Sequence, residues 1–261
     1  MVNGGDDMDG HRGVALVTGG AKRIGAAIAA DLAGSGFAVA VHCNRSTGDA
    51  DGLVQRIAAA GGTARVFQAD LAEPDSVAAM AASVEATLGG VRLLVNNASI
   101  FEPDSAHDPD WNLWETHFAL HLKAPVQLSA EMVRRLPASE TGLIVNIVDQ
   151  RVWRLTPQFF SYTLSKAALW TATQTMAQAY APAVRVNAIG PGPTLANERQ
   201  QPDDFDAQQG GLLLRKGPLL TEFGRTIRYL WETPSITGQM IALDGGQHLA
   251  WQTPDVTGMR E

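Results

Sequence analysis

The chain has 261 residues, of which 45% are hydrophobic, and its 20 basic and 27 acidic residues give a formal net charge of −7. A chain of this length buries about three-quarters of its unfolded surface, while the acidic balance and the lack of a Lys/Arg-rich run argue against a nucleic-acid partner. The single cysteine, Cys43, excludes an intramolecular disulfide and suits the cytoplasm, and no apolar run approaches the ~20 residues of a membrane span, so we expect no membrane partner.

Short apolar runs alternate with helical patterns along the chain. Residues 1–12 are polar and rich in Gly and Asp, which predicts a disordered tail or an extended start. The apolar runs predict seven strands, at residues 14–17, 37–43, 64–67, 91–95, 143–148, 184–189 and 240–243. The patterns between them predict helices at 26–32, 75–88, 111–136 and 162–180. A further helix follows the second strand and ends near residues 61–62. Residues 251–261 are interpreted as a C-terminal tail.

Strands that are continuously apolar, each followed by a helix, are typical of a parallel sheet covered on both faces. Right-handed crossovers then build a doubly wound, Rossmann-like α/β sheet, and no linker divides it. We therefore expect one domain over residues 13–250. The polar segment 192–217 is rich in Gln and Asp, so we expect it to be irregular and to form a substrate lid at about 194–217.

A glycine-rich turn, residues 18–25, follows the first predicted strand. Such a turn brings backbone N–H groups against a pyrophosphate, and only glycine allows that close approach. An ordinary strand–helix turn is the alternative interpretation. Arg23 either faces the phosphates and neutralises their charge or points into solvent. The residues of the turn that we expect at the cofactor are Gly19, Lys22, Arg23, Ile24 and Gly25.

The end of the second predicted strand lacks the acidic residue that would bind the ribose 2′-hydroxyl of NAD. Its sequence is Asn44-Arg45-Ser46, in which Arg45 and Ser46 could hold a 2′-phosphate by charge-assisted hydrogen bonds. At about 1.5–3 kcal/mol for such a bond, NADPH is preferred roughly ten- to hundredfold. Ser46 could also cap the next helix. Further along the cofactor we expect Asp70 at the adenine edge, with Asn97 and Ala98 along the adenosine ribose.

Tyr162 and Lys166 are four residues apart in a predicted helix, so their side chains lie one turn from each other. An ammonium in that position favours the phenolate and lowers a tyrosine pKa that is otherwise about 10. Bringing that pKa near 7 takes about 4 kcal/mol of differential interaction. A phenol of that pKa passes protons at neutral pH, so the pair predicts an acid–base site.

Several further short sequence motifs accompany the glycine-rich turn and the Tyr–Lys pair. They are Asp70-Leu71, Asn96-Asn97-Ala98, Val186-Asn187, Pro191-Gly192, Thr237-Gly238 and Leu243-Asp244-Gly245-Gly246. With them the chain resembles the short-chain dehydrogenase/reductase family from about residue 14 to 249. The resemblance implies that Lys166 holds the nicotinamide ribose and that the protein is a homo-oligomer, a tetramer or a dimer. It also implies cofactor contacts at Leu71, Ser99, Pro191, Gly192 and Thr194.

Two departures from the family pattern narrow the resemblance. The family usually has Ser at the position of Asp149, and Asn at the position of His121. Asp149 is similar to the pteridine-reductase branch, as are the Lys-Arg pair in the first turn and the Arg-Ser pair after the second strand. That branch also carries an aromatic residue like Phe101, which stacks on the pterin. His121 and the pair Asn197-Glu198 resemble the dihydromonapterin reductases.

This resemblance implies the NADPH-dependent reduction of a dihydropteridine, which adds hydride to a ring carbon and a proton to the neighbouring nitrogen. We hypothesise that Tyr162 and Asp149 form the proton path, because a carboxyl can engage ring nitrogens. Asp149 could instead only cap the turn after the fifth strand. His121 either anchors a water leading to Lys166 or is a core histidine. The substrate pocket is expected to include Phe101, Asp149, Gln150, Arg151, Trp153 and Tyr162, and no metal.

Two other functions stay open from the sequence. A carbonyl or 3-oxoacyl thioester reductase needs the same Tyr162 and Lys166, although it normally has the Ser that Asp149 replaces. A non-catalytic sensor that binds NADPH would not need the intact Tyr–Lys pair. Assays of NADPH oxidation with a dihydropterin, a diketone and no substrate distinguish the three functions.

Overall fold

The computed structural model describes residues 12–196, 202–253 and 257. Its centre is a seven-stranded parallel sheet in the order β3-β2-β1-β4-β5-β6-β7. The strands are β1 Val14–Val17, β2 Ala38–Cys43, β3 Thr63–Gln68, β4 Val91–Asn96, β5 Gly142–Ile147, β6 Val184–Pro191 and β7 Met240–Leu243. The single doubly wound α/β sheet predicted from the sequence is confirmed, with strand bounds close to the predicted ones.

Helices connect the strands and cover the sheet. They are α1 Arg23–Gly34, α2 Thr47–Ala59, α3 Pro74–Leu88, α4 Trp111–Phe118, α5 Ala124–Arg135, α6 Phe160–Tyr180, α7 Pro202–Gly210 and α8 Leu220–Glu232. Among the described residues, none of the helices combines the length and the apolar character that a bilayer crossing requires.

The core consists of two layers, one on each face of the sheet. In β1, Ala15 and Val17 pack with residues of α1, α2 and α8, whereas Val14 and Leu16 pack with α3, α5 and α6. All four are at most 5% exposed. Because successive side chains of a strand point to opposite faces, a strand that is buried on both faces is apolar throughout. This explains why the strands were visible in the sequence as continuous apolar runs.

Two helices were not predicted. Helix α7 lies in the segment that was expected to be irregular, so that expectation is wrong for residues 202–210. In α8, Phe223, Ile227 and Leu230 are fully buried and follow the spacing of a helix face. Gly224 interrupts this pattern because a Cβ there would lie 2.4 Å from the Asp31 Cβ of α1. The glycine therefore serves the close packing of α8 on α1.

The long helix predicted at 111–136 is interrupted. A π-helical turn, Ala119–Lys123, separates α4 from α5 and contains His121. Such turns inside α-helices are rare and occur frequently at functional sites. The insertion lies next to the carboxyl edge of the sheet, where the predicted site residues converge.

The order of the strands places a crevice at that edge. β1 and β4 are neighbours although chain connections lead away from them to opposite sides of the sheet. Ligands of open α/β sheets bind outside the carboxyl ends of strands at such a point. The predicted tails fall mainly outside the described residues, as does the pair Asn197-Glu198.

Candidate active site

Two glycines shape the turn after β1. Gly19 has a φ of +59°, and a Cβ on it would lie 2.9 Å from the Ala98 Cα. A Cβ on Gly25 would lie 2.2 Å from the Gly19 carbonyl oxygen and 2.5 Å from Asn97 Nδ2. Neither position accepts a side chain without a shift of the backbone around it. The turn therefore has the compact form that lets backbone N–H groups approach a phosphate group.

Two polar side chains brace this turn from behind. The Asn97 amide Nδ2 donates to the carbonyl oxygens of Thr18 and Gly19 at 2.9 and 3.1 Å. The Gly19 N–H donates to His42 Nδ1 at 3.0 Å, and His42 Nε2 lies 3.1 Å from the Ala69 carbonyl oxygen. The Asn97 amide thus holds the turn, and the contact of Asn97 and Ala98 with the adenosine ribose remains a prediction.

The end of β2 presents Asn44 and Arg45 on the surface. Ser46 occupies the N-cap position of α2, but its side chain makes no capping hydrogen bond there. The predicted position of Ser46 at the start of the helix is confirmed, but the side-chain hydrogen bond of a cap is not formed. Ser46 follows the exposed Arg45 in the sequence, and the role of the two residues in holding a 2′-phosphate stays a prediction.

Arg23 is exposed, and whether it faces the phosphates stays a prediction. Its backbone is left-handed, with a φ of 52°. Its guanidinium donates to the carbonyl oxygens of Leu195 and Ala196 at 3.2 and 3.1 Å, which ties the start of α1 to the segment after β6. The neighbouring Lys22 forms an exposed ion pair with Asp49 at 2.9 Å, and the next residue, Ile24, is half-buried and packs against the core.

The other predicted cofactor residues also lie beyond the carboxyl ends of strands. After β3, Asp70 is exposed and its Oδ1 accepts from the Ala72 N–H at 3.0 Å, while Leu71 is buried. At the end of β6, a Cβ on Gly192 would lie 2.7 Å from the Asp244 Cα. The structure thus brings the predicted residues to one edge of the sheet, including Ala98, Ser99, Pro191 and Thr194.

Tyr162 and Asp149 are directly hydrogen-bonded. The Tyr162 hydroxyl donates to Asp149 Oδ2 at 2.9 Å. The second carboxylate oxygen, Oδ1, accepts from the Arg151 N–H at 2.8 Å and caps the short 3₁₀ helix Gln150–Val152. Asp149 therefore both caps the turn after β5 and contacts the phenol.

Lys166 is buried on the next turn of α6. Its Nζ donates to the Ile147 carbonyl oxygen at 2.8 Å and lies 5.8 Å from the centroid of the Tyr162 ring. Burial lowers the pKa of Lys166 to about 8, although the Asp149 carboxylate opposes this shift. The ammonium is thus held at the end of β5, beside the Tyr–Asp pair.

The pKa of Tyr162 is shifted in the direction opposite to the prediction. Burial raises it well above 10, and the charge of Asp149 and its hydrogen bond raise it further, while Arg151 acts in the opposite sense. The prediction that Lys166 lowers this pKa is wrong, because the nearest charged partner of the phenol is a carboxylate. Burial also raises the pKa of Asp149, against the effects of Arg151, Tyr162 and Lys166.

Aromatic rings and one cation form the wall beside Tyr162. The Phe101 ring stacks on Phe159 with centroids 4.0 Å apart, and it meets Tyr162 edge-on at 4.8 Å. The Arg151 guanidinium carbon lies 5.2 and 5.1 Å from the centroids of Phe101 and Phe159. Arg151 Nη1 is buried without a hydrogen-bond partner. This wall offers flat apolar surface and one unsatisfied donor.

The other two predicted pocket residues lie further along the same segment. Trp153 is 43% exposed, and its described ring contacts are with Trp170 and His248. Gln150 is buried, and its Oε1 lacks a hydrogen-bond partner. Neither residue has a described hydrogen bond or ring contact with Tyr162, so their part in the pocket remains a prediction.

His121 is fully enclosed by protein groups. Its Nδ1 lies 2.8 Å from Ser165 Oγ, and its Nε2 lies 3.0 Å from Ser99 Oγ and accepts from the Ile100 N–H at 3.3 Å. Burial lowers its pKa far below the ordinary value, helped by the charges of Lys166 and His117. The structure therefore favours a core histidine that is bonded at both ring nitrogens.

Sequence reasoning missed Phe159 and the pair His117 and Ser161. Phe159 immediately precedes α6 and has a left-handed backbone, with φ and ψ of 57°. This conformation is uncommon for an aromatic residue and gave no signal in the sequence. His117 had one available signal, since it lies four residues before His121 and thus on the same helix face.

Comparisons with known proteins agree with this geometry. A family model described as short chain dehydrogenase matches residues 13–205. The dihydromonapterin reductase of Citrobacter koseri is 32% identical over 239 residues, which are 90% of this chain and 96% of the relative. The chain belongs to the short-chain dehydrogenase family and is an oxidoreductase.

Two solved structures are more similar still. The FolM alternative dihydrofolate reductase 1 of Brucella canis, complexed with NADP, has a TM-score of 0.92 and 57% identity over 95% of this chain and 98% of its own. The Brucella suis protein of the same description, also in complex with NADP, has a TM-score of 0.92 and 58% identity over 94% and 99%.

Proposed function

We propose that this protein reduces a dihydropteridine with NADPH, and that Tyr162 and Asp149 deliver the proton. The observation that carries the proposal is the 2.9 Å hydrogen bond from the Tyr162 hydroxyl to Asp149 Oδ2 beside a flat aromatic wall. A carbonyl reductase needs a donor to one oxygen. A pterin presents a ring with several nitrogens, for which a carboxyl paired with a phenol is suited.

The residues at the sheet edge fit NADPH. Gly19 and Gly25 leave the turn after β1 open to a pyrophosphate. Arg45 and Ser46 are the residues that would hold the 2′-phosphate, and no acidic side chain occupies residues 44–46. The Brucella relatives are described as complexed with NADP. When bound, NADPH supplies the hydride.

The proposed proton path uses the hydrogen bond between Tyr162 and Asp149, and the raised pKa values of both groups support it. The Tyr162 O–H delivers its proton to the ring nitrogen next to the carbon that receives hydride. A free phenolate beside a carboxylate is unfavourable, so Asp149 resupplies the proton as Tyr162 releases it. Burial raises the pKa of Asp149, so that its carboxyl holds a proton closer to neutral pH. Its side chain is 18% exposed, which gives the carboxyl a route to solvent.

Two further side chains complete the proposed site. Lys166 holds the nicotinamide ribose from the end of β5, where its Nζ is fixed by the Ile147 carbonyl. Phe101 offers a ring face to the substrate, and a stacked contact adds about 0.5–1.5 kcal/mol beyond the burial of area. Phe159 covers one face of Phe101 in this structure, so the substrate stacks on the other face or displaces Phe159.

Replacing Asp149 tests the proposal. A steady-state screen of dihydropterins, a dihydrofolate, a diketone and a 3-oxoacyl thioester first identifies the substrate of the wild-type protein with NADPH and with NADH. Asp149→Ser should then lower dihydropterin turnover by about 10²–10⁴-fold, the usual contribution of general acid catalysis, with NADPH affinity unchanged. Asp149→Asn is the matched control because it keeps an acceptor for Tyr162 but carries no exchangeable carboxyl proton, and it should be equally slow.

Three outcomes would contradict this function. Unchanged dihydropterin turnover in Asp149→Ser removes Asp149 from the proton path. Faster turnover of the diketone or thioester than of any dihydropterin assigns a carbonyl reductase. Tight NADPH binding without oxidation on any substrate assigns a sensor.

We also propose that the protein is a cytoplasmic homo-oligomer, a dimer or tetramer that associates through α4, α5, α6 and the C-terminal strand. Trp111 is 67% exposed and continues into a cluster with Trp114, Phe118 and Phe160 across α4 and α6. Exposed apolar patches of this kind mark protein interfaces. Light scattering should report an oligomer that Trp111→Glu dissociates.

A further inference from the structure

Two histidines of the α4 region bond to two serines of α6. His117 Nδ1 lies 2.7 Å from Ser161 Oγ, and His121 Nδ1 lies 2.8 Å from Ser165 Oγ. The two pairs have the same sequence separation of 44 residues. Both the histidines and the serines are four residues apart, which is one helical turn. The two His–Ser pairs, each called a rung below, therefore connect the α4 region to α6 at two successive turns. Ser161 directly precedes Tyr162, and Ser165 directly precedes Lys166.

The hydrogen bonds fix the protonation of the second rung. The Ser165 hydroxyl donates to the Tyr162 carbonyl oxygen at 2.8 Å, so its oxygen accepts from His121 Nδ1–H. His121 Nε2 then carries the lone pair that accepts the Ile100 N–H at 3.3 Å. His121 is thus a neutral imidazole that links the segment after β4 to the helix of Tyr162.

The imidazole rings also contact the phenol directly. They stack on each other with centroids 5.3 Å apart and an interplanar angle of 20°. Each meets the Tyr162 ring nearly perpendicularly, His121 at 5.4 Å and His117 at 5.9 Å. The Tyr162 ring is therefore in contact with both histidines. Their serine partners lie on both sides of Tyr162 in the sequence, at positions 161 and 165.

We infer that His117 is a positioning residue for Tyr162, acting through Ser161, and that the His117–Ser161 rung sets the phenol against Asp149. His117 is fully buried, and its Nε2 has no hydrogen-bond partner. A side chain needed only for packing carries no such unsatisfied nitrogen, because an apolar residue fills the volume without the desolvation cost. The polar atom that the site uses is therefore Nδ1, which faces Ser161.

Paired substitutions of His117 test this assignment. Asn places a polar group near the position of Nδ1, Gln near that of Nε2, and Leu keeps the apolar volume alone. We expect His117→Asn to keep kcat near the wild-type value, whereas His117→Gln and His117→Leu lower it about ten- to hundredfold, the cost of a catalytic group misplaced by about 1 Å. KM for NADPH should not change in any of them.

The partner serine and a distant control complete the kinetic test. Ser161→Ala should match His117→Leu, and the double variant should be no slower than either single variant, since both remove the same rung. Thr173 lies on the same helix as Tyr162 and accepts a buried hydrogen bond of 2.9 Å from Asn146 of β5, so Thr173→Val should lower Tm without lowering kcat. Equal kcat in His117→Leu and the wild type, or a fully additive double variant, overturns the inference.

A second measurement needs no substrate, so it separates this inference from the proposed function on which its kinetic test rests. The chain has three tyrosines, and with Tyr180 and Tyr229 replaced by Phe the tyrosinate absorbance reports Tyr162 alone. Burial and the carboxylate of Asp149 both raise the pKa of Tyr162. A phenol displaced by His117→Leu should therefore titrate at lower pH than in the wild type, and His117→Asn should restore the wild-type titration. An unchanged titration in His117→Leu refutes the positioning role, whereas failure of every dihydropterin assay refutes only the substrate.

Discussion

Arg151 is the cation that acts on both members of the Tyr162–Asp149 pair. Its charge lowers the pKa of Asp149 and the pKa of Tyr162, in each case against the larger effect of burial. Its Nε lies 4.0 Å from Asp149 Oδ1, and its backbone N–H donates to the same oxygen. The sequence pointed to Lys166 for this influence on the phenol. In the structure, the cation that lowers the pKa of Tyr162 is Arg151.

Replacing Arg151 should shift the pH dependence of the reaction. Arg151→Met removes the charge, so the pKa values of Asp149 and Tyr162 both rise. Both groups act in their protonated forms in the proposed proton path, so the basic limb of the kcat profile should then move to higher pH. Arg151→Lys keeps the charge and is the control. A profile of Arg151→Met that coincides with that of the wild type would rule out this tuning.

The residue types of the site could be predicted from the sequence, but their electrostatics could not. Spacing alone placed Tyr162 and Lys166 on one helix turn. Burial first and the Asp149 charge second raise the Tyr162 pKa, and both follow from how the turn after β5 folds back on α6. Phe159 was equally inaccessible, because its place on Phe101 follows from a left-handed backbone that aromatic residues rarely adopt.

Helix α1 contains two glycines, of which one has no space for a side chain and the other has open space around it. A Cβ on Gly25 would lie 2.2 Å from the Gly19 carbonyl oxygen, whereas a Cβ on Gly34 would meet nothing within 4 Å. The first glycine is needed for the fold of the cofactor turn. The second, at the last position of the helix, only increases the conformational freedom of the unfolded chain.

The matched substitutions Gly25→Ala and Gly34→Ala test this difference. Gly25→Ala forces the turn to shift at a cost of about 1–3 kcal/mol, so NADPH affinity should fall roughly tenfold or more. Gly34→Ala should leave the affinity unchanged and stabilise the fold by about 0.4–1 kcal/mol. Fluorescence titration with NADPH and urea unfolding measure the two effects. Equal affinities of the two variants would show that the turn tolerates a side chain.

At the level of elements, the strands were predictable because each is buried on both faces and consists of a short apolar run. Helices α7 and α8 were harder to predict from the sequence. Helix α8 presents a regular apolar face, but Gly224 lies within it and weakens the pattern. Helix α7 has few apolar residues among many Gln and Asp, so its composition indicated a loop.

At the scale of the whole molecule, three buried histidines resist protonation. Burial is the largest cause that lowers the pKa values of His42, His117 and His121. Two of them have defined acceptor roles in the neutral form: His42 accepts the Gly19 N–H, and His121 accepts the Ile100 N–H. The cofactor turn and the helix of Tyr162 are thus both braced by neutral imidazoles.

Acid should therefore destabilise the fold. In the unfolded chain these histidines take up protons at about pH 6.5, whereas in the folded state they remain neutral to lower pH. The unfolded state binds more protons below about pH 6.5, so the free energy of unfolding falls as the pH is lowered, by up to about 1.4 kcal/mol per pH unit for each histidine. The raised pKa of Asp149 acts in the opposite sense, because the folded state binds that proton more tightly, but it is a single group against three histidines. Urea unfolding at about pH 7 and about pH 5.5 measures the loss, which should be smaller in His117→Asn because one such group is removed. Stability that is constant or rises toward acid would mean that these imidazoles are protonated in the folded state.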